Sequence, residues 1–205
     1  MVEIQFLEDI VLDADFEQVY PEQFRVPLEV KKQLHSTGTT FIYILNKETR
    51  EPIGETYYLH ADYLEQMADG INITDWIGKK AAYIYKNTIF PKFQGQGYGK
   101  LLTEYRIKRM REQGFKYSIG HARQNGSVKQ AKLFGADVVA EIPNWCGETA
   151  SLCVLDLNKI PASTINKAAI VGAIKRGHQL TEKLAYRDGF ADGVIFAQTI
   201  RDANN

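Results

Sequence analysis

Three glycines at alternate positions, Gly95, Gly97 and Gly99, sit in Ile89-Phe90-Pro91-Lys92-Phe93-Gln94-Gly95-Gln96-Gly97-Tyr98-Gly99-Lys100-Leu101-Leu102, between a strand-like and a helix-like run. Without Cβ atoms the backbone closes tightly, so successive amide N–H groups converge on an anion. A helix opening at the same point adds the positive end of its dipole. The chemistry on offer is a cradle for a pyrophosphate. Two common cradles fail residue by residue. A Walker A loop, G-x4-G-K-[ST], needs glycine where Gln94 stands and Ser or Thr where Leu101 stands. A dinucleotide fingerprint, G-x-G-x-x-G, read from Gly95 needs glycine at Lys100, and it opens a repeated βαβ array.

The loop needs a strand before it and a helix after it, and both are legible. Residues 81–90 set Tyr83, Tyr85 and Asn87 against Ile84 and Lys86, the period of a strand, and Pro91 ends it. Residues 98–113 predict a helix with Tyr98, Leu101, Leu102 and Tyr105 on one face, stopped by Gly114. Upstream, residues 2–7 predict a weak strand, and 15–35 one or two short helices interrupted at Pro21 and Pro27. Residues 39–45 and 53–60 predict a β-hairpin, followed by an inserted loop with a helical turn at 61–80. Downstream come a strand at 115–121, then a short helix opened by Asn125 or Ser127 and closed at Gly135. Strands at 137–142 and 150–157 follow, joined through 143–147. The order mixes antiparallel pairing with one strand–helix–strand crossover. After Asn158 the composition changes, and 163–175 and 179–200 read as helices. Their apolar residues, Leu180, Leu184 and Phe190 among them, need burial on the domain or on a second subunit.

The bulk composition narrows the classes. A chain of 205 residues, 44% apolar and 24% charged, buries a sizeable core without disulfides. Lys plus Arg and Asp plus Glu both number 25, which argues against a dedicated nucleic-acid binder. Cys146 and Cys153 form no CxxC and have no His at ligand spacing, so two buried thiols in a reducing compartment are expected, and no metal. No apolar run reaches the ~20 residues that span a bilayer. Residues 1–5 show no basic-then-apolar leader, and a cytoplasmic protein is expected.

One pattern does fit the loop: Gln-x-x-Gly-x-Gly, at Gln94, Gly97 and Gly99. It resembles the acetyl-CoA pyrophosphate loop of the GCN5-related N-acetyltransferases (GNAT). The resemblance extends to Ile89-Phe90-Pro91 at the family's V-x-P step, to the Leu101-Leu102 pair, and to the strand and Asn-to-Gly short helix that follow. It covers about residues 1–157, leaving 158–205 as a C-terminal helical extension that the family does not require. The implied fold is α+β: a mostly antiparallel sheet of six to seven strands with flanking helices.

The resemblance also implies a site. Backbone N–H groups of Gln96, Gly97, Gly99 and Lys100, with Gly95 and Tyr98, would hold the pyrophosphate of acetyl-CoA. The strand ending at Ile89 and Phe90 would splay from the one ending at His121, and pantetheine would pair with the Ile89 backbone. Asn125 would face the pantetheine or the thioester, although Asn-Gly is equally a turn signal. Family members move acetyl directly to a neutral amine, often with a tyrosine on the short helix and a glutamate on the strand before the loop. The corresponding positions are Ala131 and Tyr83, so both customary groups are missing. His121, with an ordinary pKa near 6.5, and Tyr83 are the candidate substitutes, with Tyr85 and Glu55 behind them. A structural histidine and sheet-packing tyrosines are the plain alternatives. The acceptor, a small amine or a protein, would be chosen by the hairpin, the 61–80 insert and 143–147, where Tyr57, Tyr58, Tyr63, Trp76 and Trp145 form either an aromatic cleft or core. The competing function is a non-catalytic module that keeps the fold for assembly or partner binding, as some phage-encoded proteins do.

Overall fold

A computed structural model describes residues 3–9, 11, 25–123, 125–145 and 148–160. In chain order the elements are β1 (Ile4–Glu8), α1 (Leu28–Ser36), β2 (Thr40–Asn46), β3 (Pro52–His60), β4 (Ala81–Ile89), α2 (Tyr98–Glu112), β5 (Tyr117–Ala122), α3 (Asn125–Leu133), β6 (Asp137–Trp145) and β7 (Glu148–Asp156). Short 3-10 turns lie at Ala61–Met67, Thr74–Trp76 and Pro91–Phe93. The strands form one mixed sheet in the order β1-β2-β3-β4-β5-β7-β6. β5 runs parallel to β4 and antiparallel to β7, which in turn pairs antiparallel with β6.

Contacts group the described residues into two compact units, one within Met1–Tyr57 and Lys86–Thr103, the other within Tyr58–Tyr85 and Glu104–Ile165. In the first, the period-2 set Phe41, Tyr43 and Leu45 packs with Tyr57, covered by Val26 and by Leu34 of α1. Phe41 stacks on Tyr57 at 4.7 Å between ring centroids. In the second, Leu59, Ala61, Ala68, Ile71, Ile73, Ala81, Tyr83, Ile119, Leu152 and Val154 form one buried cluster. The 61–80 insert therefore folds back as core: Ala68, Ile71 and Ile73 belong to it.

The structure lengthens several elements. β6 runs through Pro143 instead of ending at 142. It is the edge strand, and its register with β7 shifts between Ile142 and Trp145. A proline is tolerated there because an edge position needs no ladder N–H. Pro91 both ends β4 and opens a 3-10 turn. α1 starts after Pro27, and the earlier part of the 15–35 helical expectation lies outside the described residues, as do the 163–175 and 179–200 helices and Cys146. Cys153 is buried, as expected. α2 buries Tyr98 and Leu102 of the expected face and continues that row, four apart, through Arg106 and Met110, while Leu101 and Tyr105 are half-buried. Arg106 escaped the reading because its charge suggested solvent; burial pushes its guanidinium down to about 10.

Candidate functional site

In the first unit the loop is fixed by its own side chains. β4 ends at Ile89, and the Phe90 N–H donates to the Ile53 carbonyl at 3.0 Å. β3 passes so close here that a Cβ on Gly54 would lie 2.6 Å from the Thr88 carbonyl oxygen, so only glycine fits. Past the Pro91 turn, Gln94 Nε2 donates back to the Ile89 carbonyl and Gln96 Nε2 to the Lys92 carbonyl, each at 2.9 Å. Phe93 is buried and meets Tyr98 edge-on. Gly95 (φ 75°) and Gly97 (φ 92°) both lie in the left-handed region. Their amides can turn to one side as an anion-binding concavity that a side chain would strain.

α2 begins at once. The Lys100 and Leu101 N–H groups donate to the Gly97 carbonyl at 3.1 and 3.3 Å. One of the expected pyrophosphate donors, the Lys100 amide, is therefore engaged in the first helical turn, while the Lys100 side chain stays exposed. Gln96 is buried, and its Oε1 finds no donor among the described residues. A hydroxyl or amide N–H of a bound ligand would satisfy it. Left-handed glycines and a helix N-terminus fit a pyrophosphate, whereas the buried Gln96 oxygen calls for a donor from another part of the same ligand.

In the second unit the topology joins two residues far apart in sequence. β4 and β5 pair in parallel from Ala81↔Tyr117 to Tyr83↔Ile119. His121 is two residues beyond Ile119 and so on the same face. Tyr83 Oη lies 2.9 Å from His121 Nδ1. Tyr83 is 7% exposed and His121 intermediate. Burial pushes the His121 pKa below its ordinary value, and a hydrogen bond to the Ile71 main chain opposes that shift. The imidazole is therefore neutral at pH 7, the state a proton acceptor needs.

The remaining candidates fall away or stand apart. Glu55 is fully buried, with Oε2 3.2 Å from Lys31 Nζ and Oε1 2.9 Å from Lys86 Nζ. Both carboxylate oxygens are engaged, which corrects the expectation that Glu55 could serve as a base. Lys31 was missed for the same reason as Arg106. Ala131 lies within α3, where its carbonyl accepts the N–H of Ala136, so no phenol is supplied at that position. Asn125 opens α3 as expected, and its side chain lies outside the described set. Tyr85 is 42% exposed. Of the aromatics, Tyr57 and Tyr58 are core, Trp76 packs edge-on against Tyr117, and Tyr63 is exposed. Among the described residues no cluster of three His, Cys, Asp or Glu could hold a metal, and no helix is long and apolar enough to cross a membrane.

Comparison with known proteins bears on what this geometry is for. A family model described as the Acetyltransferase (GNAT) family matches residues 5–135. A search of curated proteins gave no match. Among solved structures, the ribosomal-protein-S18-alanine N-acetyltransferase of Escherichia coli is 12% identical with a TM-score of 0.55, over 78% of this chain and 98% of that one. The spermidine/spermine N-acetyltransferase SpeG of Vibrio cholerae is 11% identical with a TM-score of 0.54, over 77% and 96%. Ard1 of Thermoplasma volcanium is 16% identical with a TM-score of 0.55, over 75% and 97%. At these identities the likeness is one of fold.

Proposed function

Because the chain belongs to the acetyltransferase (GNAT) family, we propose that it is an acetyl-CoA-dependent N-acetyltransferase that moves acetyl directly to a primary amine. The observation that carries this reading is the loop: Gly95 and Gly97 at left-handed φ, leading straight into α2. Acetyl-CoA supplies the acetyl group as an activated thioester. The amides of Gln96, Gly97 and Gly99, with Gly95 and Tyr98, hold the pyrophosphate. Lys100 adds its ammonium, since its amide is turned into the helix. Ile89 and Phe90 line the pantetheine, and Asn125 meets its thioester end. Gln94 is a positioning residue, pinning the loop to the end of β4. The acceptor amine attacks only when neutral, and Tyr83 with His121 takes its proton. The acceptor is a small molecule or a protein amine, the compartment is the cytoplasm, and residues 158–205 serve contact with a second copy.

The test is calorimetry of acetyl-CoA on the wild type and on Gly97→Trp, with free thiol followed in the same cell as an amine panel is added. Micromolar binding that is lost in the variant, with thiol release on adding an amine, supports the reading. Absence of binding to the wild type overturns it. A second reading is favoured by one observation: the customary tyrosine and glutamate positions hold Ala131 and Tyr83. In that reading the chain is a non-catalytic module that keeps the fold for partner binding, and it binds acetyl-CoA without releasing thiol under any amine.

A further inference from the structure

One end of the second unit gathers cations without carboxylates. Lys79 and Lys80 precede β4, Lys116 precedes β5, and Arg111 lies in the last turn of α2. Main-chain bonds draw these segments together with the chain that leaves β7. The Lys116 N–H donates to the Lys80 carbonyl, and the Leu157 N–H to the Lys116 carbonyl, each at 2.9 Å. All four cations are exposed, and among the described residues none meets a carboxylate. The carboxylates on the same elements are taken up by other cations: Asp156 by Lys159 at 3.5 Å and Glu112 by Arg109 at 3.0 Å. In a chain whose formal charges sum to zero, this is a local excess of positive charge.

Arg111 is held by acceptors that do not neutralise it. Its Nε donates to the Leu157 carbonyl at 2.8 Å, and its Nη2 donates to the same carbonyl and, at 2.7 Å, to the Ile160 carbonyl. The guanidinium is fixed in direction with its full charge, and its Nη1 donors are not spent on those carbonyls. Beside it opens a cavity of about 450 Å³ lined by Arg111, Gly114, Phe115, Lys116, Leu157 and Asn158. That is the size of a small-molecule site. A Cβ on Gly114 would meet no atom within 4 Å, so this wall is open. The last α2 carbonyls, which would repel an anion, are covered. The Gly114 N–H donates to the Arg111 carbonyl and the Phe115 N–H to the Met110 carbonyl, each at 3.0 Å.

We propose that this cavity binds the phosphate monoester of a small metabolite, at a site separate from acetyl transfer. A phosphate monoester carries roughly −1.5 to −2 charge at pH 7, which matches Arg111 and Lys116 together. Its oxygens accept from the remaining guanidinium N–H groups and from the ammonium. Phe115 and Leu157 give the organic part an apolar wall. His121 lies five residues along β5 from Lys116, about 17 Å, so an occupant does not meet the Tyr83–His121 pair. The site stands whether or not the chain transfers acetyl.

The test is titration of the ¹⁵N-labelled full chain with ribose 5-phosphate at physiological ionic strength, beside ribose and a uridine oligonucleotide. Amide signals of Gly114, Phe115, Lys116 and Asn158 should shift saturably with ribose 5-phosphate at millimolar concentration or below, and not with ribose. Lys116→Glu, at an exposed position, should weaken that binding by about tenfold or more. Arg111→Lys keeps the charge but loses the planar fork, and should weaken it as well. Acetyl-CoA affinity should be the same in the wild type and both variants. No saturable shift, a shift with ribose equal to that with its phosphate, binding undiminished by Lys116→Glu, or a parallel loss of acetyl-CoA affinity overturns the proposal. Shifts with the oligonucleotide alone overturn it in favour of a nucleic-acid contact. Lys116→Glu decides even where Arg111→Lys does not fold. The titration is read without acetyl-CoA, so failure of the acetyltransferase reading would be seen separately.

Discussion

The glycine loop and the Tyr83–His121 pair are assembled in opposite ways. The loop is local. Its fastenings reach four or five residues along the chain, Gln94 to Ile89 and Gln96 to Lys92, and its shape follows from glycines at 95 and 97. The pair is non-local. Its members are 38 residues apart, and they meet only because β4 and β5 run parallel with Tyr83 opposite Ile119. The lesson is that the two should fail independently. Damage to the loop should remove binding and leave the pair intact, and damage to the pair should do the reverse.

The largest expected effect breaks the comparison from the loop side. Gly97→Val forces a β-branched residue into the left-handed region, a strain of ~1–3 kcal/mol, and acetyl-CoA affinity should fall by about 100-fold or more in calorimetry. The pH titration of the His121 imidazole, followed by NMR, should not change. If it does, the two regions are coupled and the independence argued here is wrong. Next in size is His121→Gln. A positioned proton acceptor contributes typically ~10²–10⁴-fold, so kcat should fall by about 100-fold or more while acetyl-CoA affinity holds. Stopped-time product assays beside calorimetry separate the two. An unchanged kcat would make His121 a structural histidine and leave the proton acceptor to be sought elsewhere.

Local and non-local assembly also explains what could be read before the structure. The loop, the helix after it and its stop at Gly114 were legible because motif, period and turn chemistry all act within a few residues. So were the hairpin and the order of the strands. Tyr83 and His121 were each visible as residues with suitable chemistry, but their contact was not, because sequence carries no register between β4 and β5. The buried ion group of Lys31, Glu55 and Lys86 was illegible for the same reason. Three elements must converge before a carboxylate with two lysines becomes core, and each charge taken alone reads as solvent-facing. The extension of β6 through Pro143 depended on its being an edge strand, which only the sheet order decides.

A smaller effect sharpens the loop side. Gln94→Ala removes one side-chain bond to the Ile89 carbonyl from an exposed position. One such bond is worth ~0.5–1.5 kcal/mol net, so acetyl-CoA affinity should weaken by about tenfold or less, with the melting temperature nearly unchanged. A loss as large as that of Gly97→Val would mean that Gln94 touches the ligand itself and does more than pin the loop.

The smallest effect is a displacement along the pH axis, and it tests the pair. Burial, opposed by the Ile71 hydrogen bond, sets the His121 pKa below 6.5. The neutral imidazole is the working form, so the acidic limb of kcat/KM should fall below pH 6.5, lower than an exposed histidine would give. Stability carries the same sign. The fold prefers the neutral ring, so the unfolded chain takes up the proton first, and stability should decline as pH drops from 6.5 toward the folded pKa. His121→Gln should lack that part of the decline in urea titrations at stepped pH. A limb at or above 6.5 in the wild type would mean that the imidazole is not desolvated in the working enzyme, and the proton acceptor would have to be sought elsewhere.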